Sequence, residues 1–415
     1  LTVFDLYQDA GSEEVYMEKA KQILELAQQY CACTAENLSR LVKLPSESMR
    51  EREVQAELAR QMEEAGFDEV RTDGLGNVIG RIGSGSRVLA IDGHMDTVGV
   101  GNLDNWDSDP LSGEIKDGFV HGCGTVDQKG GPAAAVTSGR IIKELGLDKA
   151  LDLSFYLTGT VMEEDCDGLC WNYLIEEEKL VPDFVISTEP TNLNIYRGHR
   201  GRMEIAVSFR GLSCHASAPE RGDNAIYMAS RACLEIEKLN ERIKHDAFLG
   251  KGTVTVTEFK SGSPSLCAVA DFARLHLDRR LTWGESKESA VAEVEKVVRD
   301  MHARVDVLYY EGVSYTGLKY GMEKYFPPWK LPEDAPAVQT GVKTYKELFG
   351  VDPEVDKWTF STNGVAINGK HRIPTIGFGP GDEALAHAPN EKVPLEDLVK
   401  ASAFYALYAC RIMDA

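Results

Sequence analysis

Histidines and carboxylates that could gather around metal ions recur along this chain, each beside glycine or at the end of an apolar run. The run 88–92 leads into Gly93-His94-Met95-Asp96, where two polar side chains two residues apart leave a strand end pointing the same way. One can bind a metal while the other fixes its ring, because a ligating histidine donates its second N–H to a nearby acceptor. The glycine-rich segment Gly122-Cys123-Gly124-Thr125-Val126-Asp127-Gln128-Lys129-Gly130-Gly131 holds one carboxylate just before a helix. Glycines permit the tight path, and a carboxylate held there can share its two oxygens between two cations. The acidic run Glu163-Glu164-Asp165-Cys166-Asp167 and the pair Glu189-Pro190 each follow an apolar run, and ligands of open α/β sheets sit at the C-terminal ends of strands. Far downstream stands Ala386-His387-Ala388-Pro389-Asn390-Glu391. Carboxylates crowded in this way repel one another, so divalent cations are their natural partners.

Bringing such loops together takes a sheet. Helical periodicity covers 13–44 and again 50–65, where Val54, Leu58 and Met62 are four apart and Gly66 is the stop. β-rich runs follow at 67–71, 77–82 and 88–92, with a Gly-Ser-Gly-Ser turn at 83–86. Then come helix 130–146, strand 151–157, helix 168–179 and strand 183–187. Alternating helices and nearly continuous apolar strands predict a layered α/β unit. From Met203 the order becomes strand 203–209, helix 223–240, strands 252–259 and 271–281, helix 286–303 and strand 304–310, the βαββαβ order of a ferredoxin-like unit. Helix 336–349, strand 375–378 and helix 394–413 resume the first pattern. The expected organisation is a discontinuous α/β domain, residues 1–199 and 316–415, with a ferredoxin-like domain inserted at 200–315.

Composition narrows the function. The 415 residues carry 45 Lys plus Arg against 66 Asp plus Glu, a formal charge of −21, which repels phosphate backbones and anionic lipid. Neither nucleic acid nor a membrane is expected as a partner. The opening LTVFDLYQDAGSEE lacks the basic start and apolar run of a signal peptide, and a cytoplasmic location is expected. Nine scattered cysteines read as reduced thiols rather than a disulfide framework. Neither the Gly-x-Ser-x-Gly elbow of serine hydrolases nor a zincin His-Glu-x-x-His helix occurs.

Taken together, Gly-His-Met-Asp at 93–96, the glycine-rich segment 122–131, Glu163-Glu164, Glu189-Pro190-Thr191, Gly211-Leu-Ser-Cys-His215-Ala-Ser-Ala-Pro219 and 386–391 resemble the M20 family of metal-dependent amidohydrolases and peptidases. That family includes acetylornithine deacetylase, succinyl-diaminopimelate desuccinylase, aminoacylases and carboxypeptidases, and the cysteine-bearing motifs look closest to its selenium-metabolism-linked hydrolase subgroup. The resemblance implies two divalent ions, most readily Zn, with Co or Mn as alternatives. His94 and Glu189 would hold one, Glu164 and His387 the other, and Asp127 would bridge them. It further implies that the α/β domain is the catalytic, metal-binding one and the inserted domain a lid or dimerisation domain, that Asp96 orients His94, that Glu163 is the general base, and that His215 crosses a homodimer to stabilise the oxyanion. Arg280, in an Asp-x-Arg strand, and the glycine loop Gly379 to Gly381 fall on the substrate side.

Two departures stand out. Cys267-Ala268-Val269-Ala270-Asp271 replaces a run that usually carries a substrate-contacting asparagine, and Asn363 stands where an Asp often follows Thr, at a position expected to touch substrate. The implied activity is hydrolysis of an amide-type C–N bond in a small N-acyl or N-carbamoyl amino acid. A dipeptidase is the alternative, and a metal-binding scaffold without activity is the remote one.

Overall fold

The computed structural model describes residues 13–413; the opening segment read above for a leader falls largely outside them. The larger body is built on an eight-stranded mixed sheet. At its centre strand Arg87–His94 pairs in parallel with Leu153–Thr160 on one side and Phe184–Ser187 on the other, and Thr375–Gly377 runs parallel beyond that. These strands are buried almost end to end. Leu89, Ile91, Phe155 and Leu157 enter one apolar core, whereas the alternate residues Ala90 and Val185 enter another on the opposite face. The first core is closed by helices Gly130–Glu144 and Leu395–Ile412, the second by Leu169–Glu176. Because the inner strands run the same way, His94, Thr160, Ser187 and Gly377 finish along one edge, and the loops bearing the candidate donors leave from it.

The smaller body has the strand order Thr253–Gly262, Phe272–Leu281, Gly201–Arg210, Ala303–Val307, all antiparallel. Helices Ala225–Glu241 and Lys287–Val298 cover one face, and Ile205, Val207, Ala229, Leu275 and Val294 form its own core. The expected βαββαβ order is present.

Three local features differ from the expectation. The long helix over 13–44 is two helices, Glu13–Gln29 and Cys31–Val42, meeting at Tyr30. An unforeseen hairpin, Tyr309–Val313 with Lys319–Glu323, packs Tyr310, Tyr315 and Leu318 onto the core around Leu169 and Trp171. The chain thus first returns to the larger body after Val307, at this hairpin, and meets the smaller sheet once more before leaving it at 325–330: Phe326 faces Arg202, and Trp329–Lys330 pairs with Gly198–His199. These two passages of the chain between the bodies lie side by side. Among the described residues no helix is long and apolar enough to cross a membrane, and the nine cysteines are free.

Candidate active site

At the C-terminal edge of the sheet the structure gathers His94, Asp127, Glu163, Glu164, Glu189 and His387. Asp127 sits between the histidines, Oδ1 3.0 Å from His94 Nε2 and Oδ2 3.2 Å from His387 Nε2. Glu164 reaches His387 Nε2 at 3.0 Å, and Glu189 lies 3.7 Å from His94 Nε2. The donor atoms of His94, Asp127 and Glu164 all lie within 4.8 Å of one another, and so do those of His94, Glu163 and Glu189. Imidazole nitrogens and carboxylate oxygens at such spacing suit borderline-hard divalent ions. Glu163 Oε1, buried without a hydrogen-bond partner, shows that the protein's own donors leave acceptors here unsatisfied, as a cation site requires.

The orientation of His94 differs in detail from what the resemblance implies. Its Nδ1 bonds the backbone carbonyl of Asp96 at 2.8 Å, while the Asp96 carboxylate is 3.5 Å away. A carbonyl only accepts, so Nδ1 donates to it, and Nε2, turned toward the carboxylates, is the nitrogen that a metal ion would take. The Asp96 carboxylate is drawn elsewhere, accepting the backbone N–H of Glu163 at 3.2 Å, that of Glu164 at 3.0 Å and the Ser48 hydroxyl at 2.7 Å. It thus positions both glutamates. Met162 takes a left-handed conformation, φ +60°, costly for an unbranched side chain, and Glu51 supports the turn by accepting its N–H. Glu391, buried, accepts N–H bonds from Gly124, Val126 and Asp127 and so pins the loop that presents Asp127. In the sequence Glu391 ends the motif 386–391 with nothing around it to mark this role.

Crowding shows in the proton affinities. Burial, added to by neighbouring carboxylates, pushes Glu163 and Glu189 well above the ordinary carboxylate range and raises Glu164. Hydrogen bonds to Asp127 and Glu164 raise His387 to about 10. Asp127 is burdened by burial, yet its two histidine partners hold it below the usual value. Each shift describes a cluster of negative charge in search of cations.

The cluster forms the floor of a cavity of about 350 Å³ whose wall includes Asp167, Arg202, Arg280, Phe360 and Glu383. Arg280 is there as expected; Asp167 belongs to the acidic run named above, without a role of its own, and Arg202 has no motif around it in the sequence. Asn363 is not at the cavity. It is fully buried, its amide nitrogen donating to Asp92 at 3.0 Å and its oxygen accepting from Gly168 N–H at 3.0 Å, so its polar atoms are committed beneath the site. Gly379 and Gly381 likewise do not line the cavity. A Cβ on Gly379 would fall 2.2 Å from the carbonyl oxygen of Glu189, and Gly381 turns at φ +91° against Val126; both make room for the loops behind the donors. His215 lies exposed in a turn of the smaller body, Nδ1 bonded to Ser217, outside its own chain's cavity.

Comparison with known proteins agrees with this layout. The model of peptidase family M20/M25/M40 matches residues 90–411. The uncharacterized protein YgeY of Escherichia coli (strain K12) is 52% identical over 388 residues, covering 93% of this chain and 96% of that one. Succinyl-diaminopimelate desuccinylase of Magnetococcus marinus is 26% identical, covering 86% and 92%. Among solved structures, aminopeptidase PepT of Bacillus cereus superposes with a TM-score of 0.69 at 23% identity, covering 91% and 98%, a likeness of fold. With the family model covering every donor loop and nearly all of the last helix, the chain is a metal-dependent amidohydrolase or peptidase and belongs to peptidase family M20/M25/M40.

Proposed function

We propose that the chain is a dinuclear metal-dependent hydrolase that removes the acyl or carbamoyl group of a small N-substituted amino acid by cleaving its amide C–N bond. The observation that carries this reading is Asp127 between His94 and His387 with one oxygen toward each, beside a glutamate, Glu163, that has an acceptor oxygen unengaged. His94 with Glu189 and His387 with Glu164 are the residues that would hold two divalent ions, Asp127 serving both, and such ions polarise a carbonyl and acidify water. Glu163 acts as the general base: it receives the proton of the attacking water and hands it to the departing nitrogen, so the product leaves as an amine. His215, brought by a second copy of the chain, donates a hydrogen bond to the oxyanion. With Nδ1 occupied by Ser217, Nε2 is the nitrogen left for that role. Support for the dimer comes from the smaller body, where edge strand Thr253–Gly262 is largely exposed and Tyr227 and Leu234 stand out on the adjacent helix, 64% and 59% exposed.

The test is a turnover screen of Zn-, Co- and Mn-loaded protein against acyl-amino acids, carbamoyl-amino acids and dipeptides, read by amine release. Activity is expected to vanish on chelation and to return with metal. Full turnover in protein shown by elemental analysis to be demetallated refutes the mechanism. Faster cleavage of dipeptides than of acyl-amino acids replaces the deacylase reading with the dipeptidase one.

A further inference from the structure

In the cavity wall two opposite charges face each other without closing. Arg202, on strand Gly201–Arg210, comes no nearer than 3.7 Å to Asp167 Oδ1 and 3.7 Å to Glu204 Oε1, both beyond hydrogen-bond length. Its Nε is buried without a partner, and its guanidinium lies against the Phe326 ring, 4.9 Å from the centroid. Asp167 is 6% exposed, and its Oδ2 also lacks a partner. The surrounding charges do not complete either group. Glu204 already accepts from Lys324 and His276 at 3.0 Å, and Arg280 holds Asp278 at 2.8 and 3.2 Å. Buried charged groups with unmade hydrogen bonds are costly, and this pair lines the same cavity as Glu163, Glu164 and His387.

The chemistry that completes both can be deduced from the repulsions. A lone carboxylate docking on Arg202 meets Asp167 and Glu204; a lone ammonium docking on Asp167 meets Arg202. A group with both charges on one carbon satisfies each, its carboxylate on the guanidinium fork and its ammonium on the Asp167 carboxylate. The charges of a dipeptide, on opposite sides of the scissile bond, do not match partners only 3.7 Å apart. We propose that Arg202 and Asp167 form a subsite for a free α-amino-acid zwitterion, so that the acyl group removed by this enzyme sits on the side-chain nitrogen of a diamino acid. The inference rests on the amide-hydrolase reading and specifies its substrate class.

The test compares Nδ-acetylornithine with its analogue lacking the α-ammonium, its analogue lacking the α-carboxylate, and glycylglycine. In the metal-loaded wild type the zwitterionic substrate should lead in kcat/KM by about ten- to a hundredfold per missing charge, the scale of a charge-assisted hydrogen bond. Asp167→Asn should erase the advantage over the analogue without ammonium while sparing the advantage over the analogue without carboxylate. Arg202→Met should do the reverse, and Arg202→Lys should restore part of it. Because each readout is a ratio of two substrates on one variant, partial misfolding does not change it. Equal rates on the acetylated substrates in wild type, a uniform loss across them in the variants, or a lead for glycylglycine overturns the subsite. If wild type cleaves none of them, the hydrolase reading stands or falls with the wider turnover screen, and calorimetric binding of Nδ-acetylornithine against its two singly charged analogues still decides the subsite: preference for Nδ-acetylornithine that Asp167→Asn removes upholds it, and equal binding overturns it.

Discussion

Glu163 and Glu164 are adjacent in sequence but have different surroundings. Glu164 touches His387 with both oxygens at 3.0–3.1 Å, whereas Glu163 comes no nearer to His94 Nε2 than 4.0 Å and keeps Oε1 unengaged. Glu163→Gln is therefore expected to keep its metal and lose roughly 10²–10⁴-fold in turnover. Glu164→Gln is expected to lose metal occupancy first, measured by elemental analysis after dialysis. Swapped phenotypes would reverse the two assignments. The donors were legible because His94, Glu163, Glu164 and Glu189 follow apolar runs, where such residue types have little other reason to sit, while Asp127 and His387 stand in short motifs of small residues. Asp96 was legible as a partner of His94, but not as the acceptor that holds the backbone of Glu163 and Glu164, since that bond joins segments 67 residues apart. Asp167 shares the acidic run with Glu163 and Glu164, but nothing in the sequence separates its role from theirs, and Arg202 carries no motif; only their convergence on one cavity pairs them.

At the scale of elements, the strands and helices were readable because apolar continuity and helical spacing encode burial locally. What escaped was structure whose stability comes from tertiary contacts. The two-residue strand Ile195–Tyr196 joins the large sheet through Gly377 and Val355–Asp356, and the hairpin over 309–323 rests on the core around Trp171. Gly379 shows how tightly these elements fit. Gly379→Ala places a methyl 2.2 Å from the Glu189 carbonyl oxygen and 2.3 Å from that of Thr188, so the backbone behind Glu189 must shift. Expected outcomes are a stability loss of roughly 1–3 kcal/mol in denaturant unfolding and a larger proportional loss of activity. Gly350→Ala, at φ +74° with nothing within 4 Å of its Cβ, should cost about 1 kcal/mol from the left-handed backbone alone and leave turnover unchanged.

For the whole molecule, the arrangement of two bodies matters most where the chain passes between them. His199, fully buried at this crossing, donates from Nδ1 to the Arg200 carbonyl at 2.8 Å and accepts at Nε2 from the Trp329 indole at 2.7 Å and the Thr362 N–H at 3.2 Å. Burial lowers its pKa to about 4 from 6.5. The unfolded chain then binds the extra proton between those values, so the contribution of His199 is intact above pH 6.5 and is lost as pH falls toward 4. Relative to His199→Gln, the wild type should lose up to roughly 3 kcal/mol over that interval, measured by denaturant unfolding at stepped pH. A constant difference would mean that the ring protonates in place. The proposed dimer makes a separate prediction. Subunits of His215→Ala and Glu163→Gln, each inactive alone, should regain up to about half the wild-type rate per heterodimer once exchanged, if their sites act independently. No recovery in demonstrated heterodimers would confine His215 to its own chain or remove it from the reaction. The same crossing has an optical consequence. Trp329 and Trp358 are buried there with ring centroids 6.1 Å apart, and each meets the His199 ring edge-on. Phe360 and Ser361 of the cavity wall follow Trp358 closely in sequence. Phe360 packs against this pair, so a substrate that displaces it from the cavity wall would change the protein's own fluorescence, giving a label-free signal for timing its arrival.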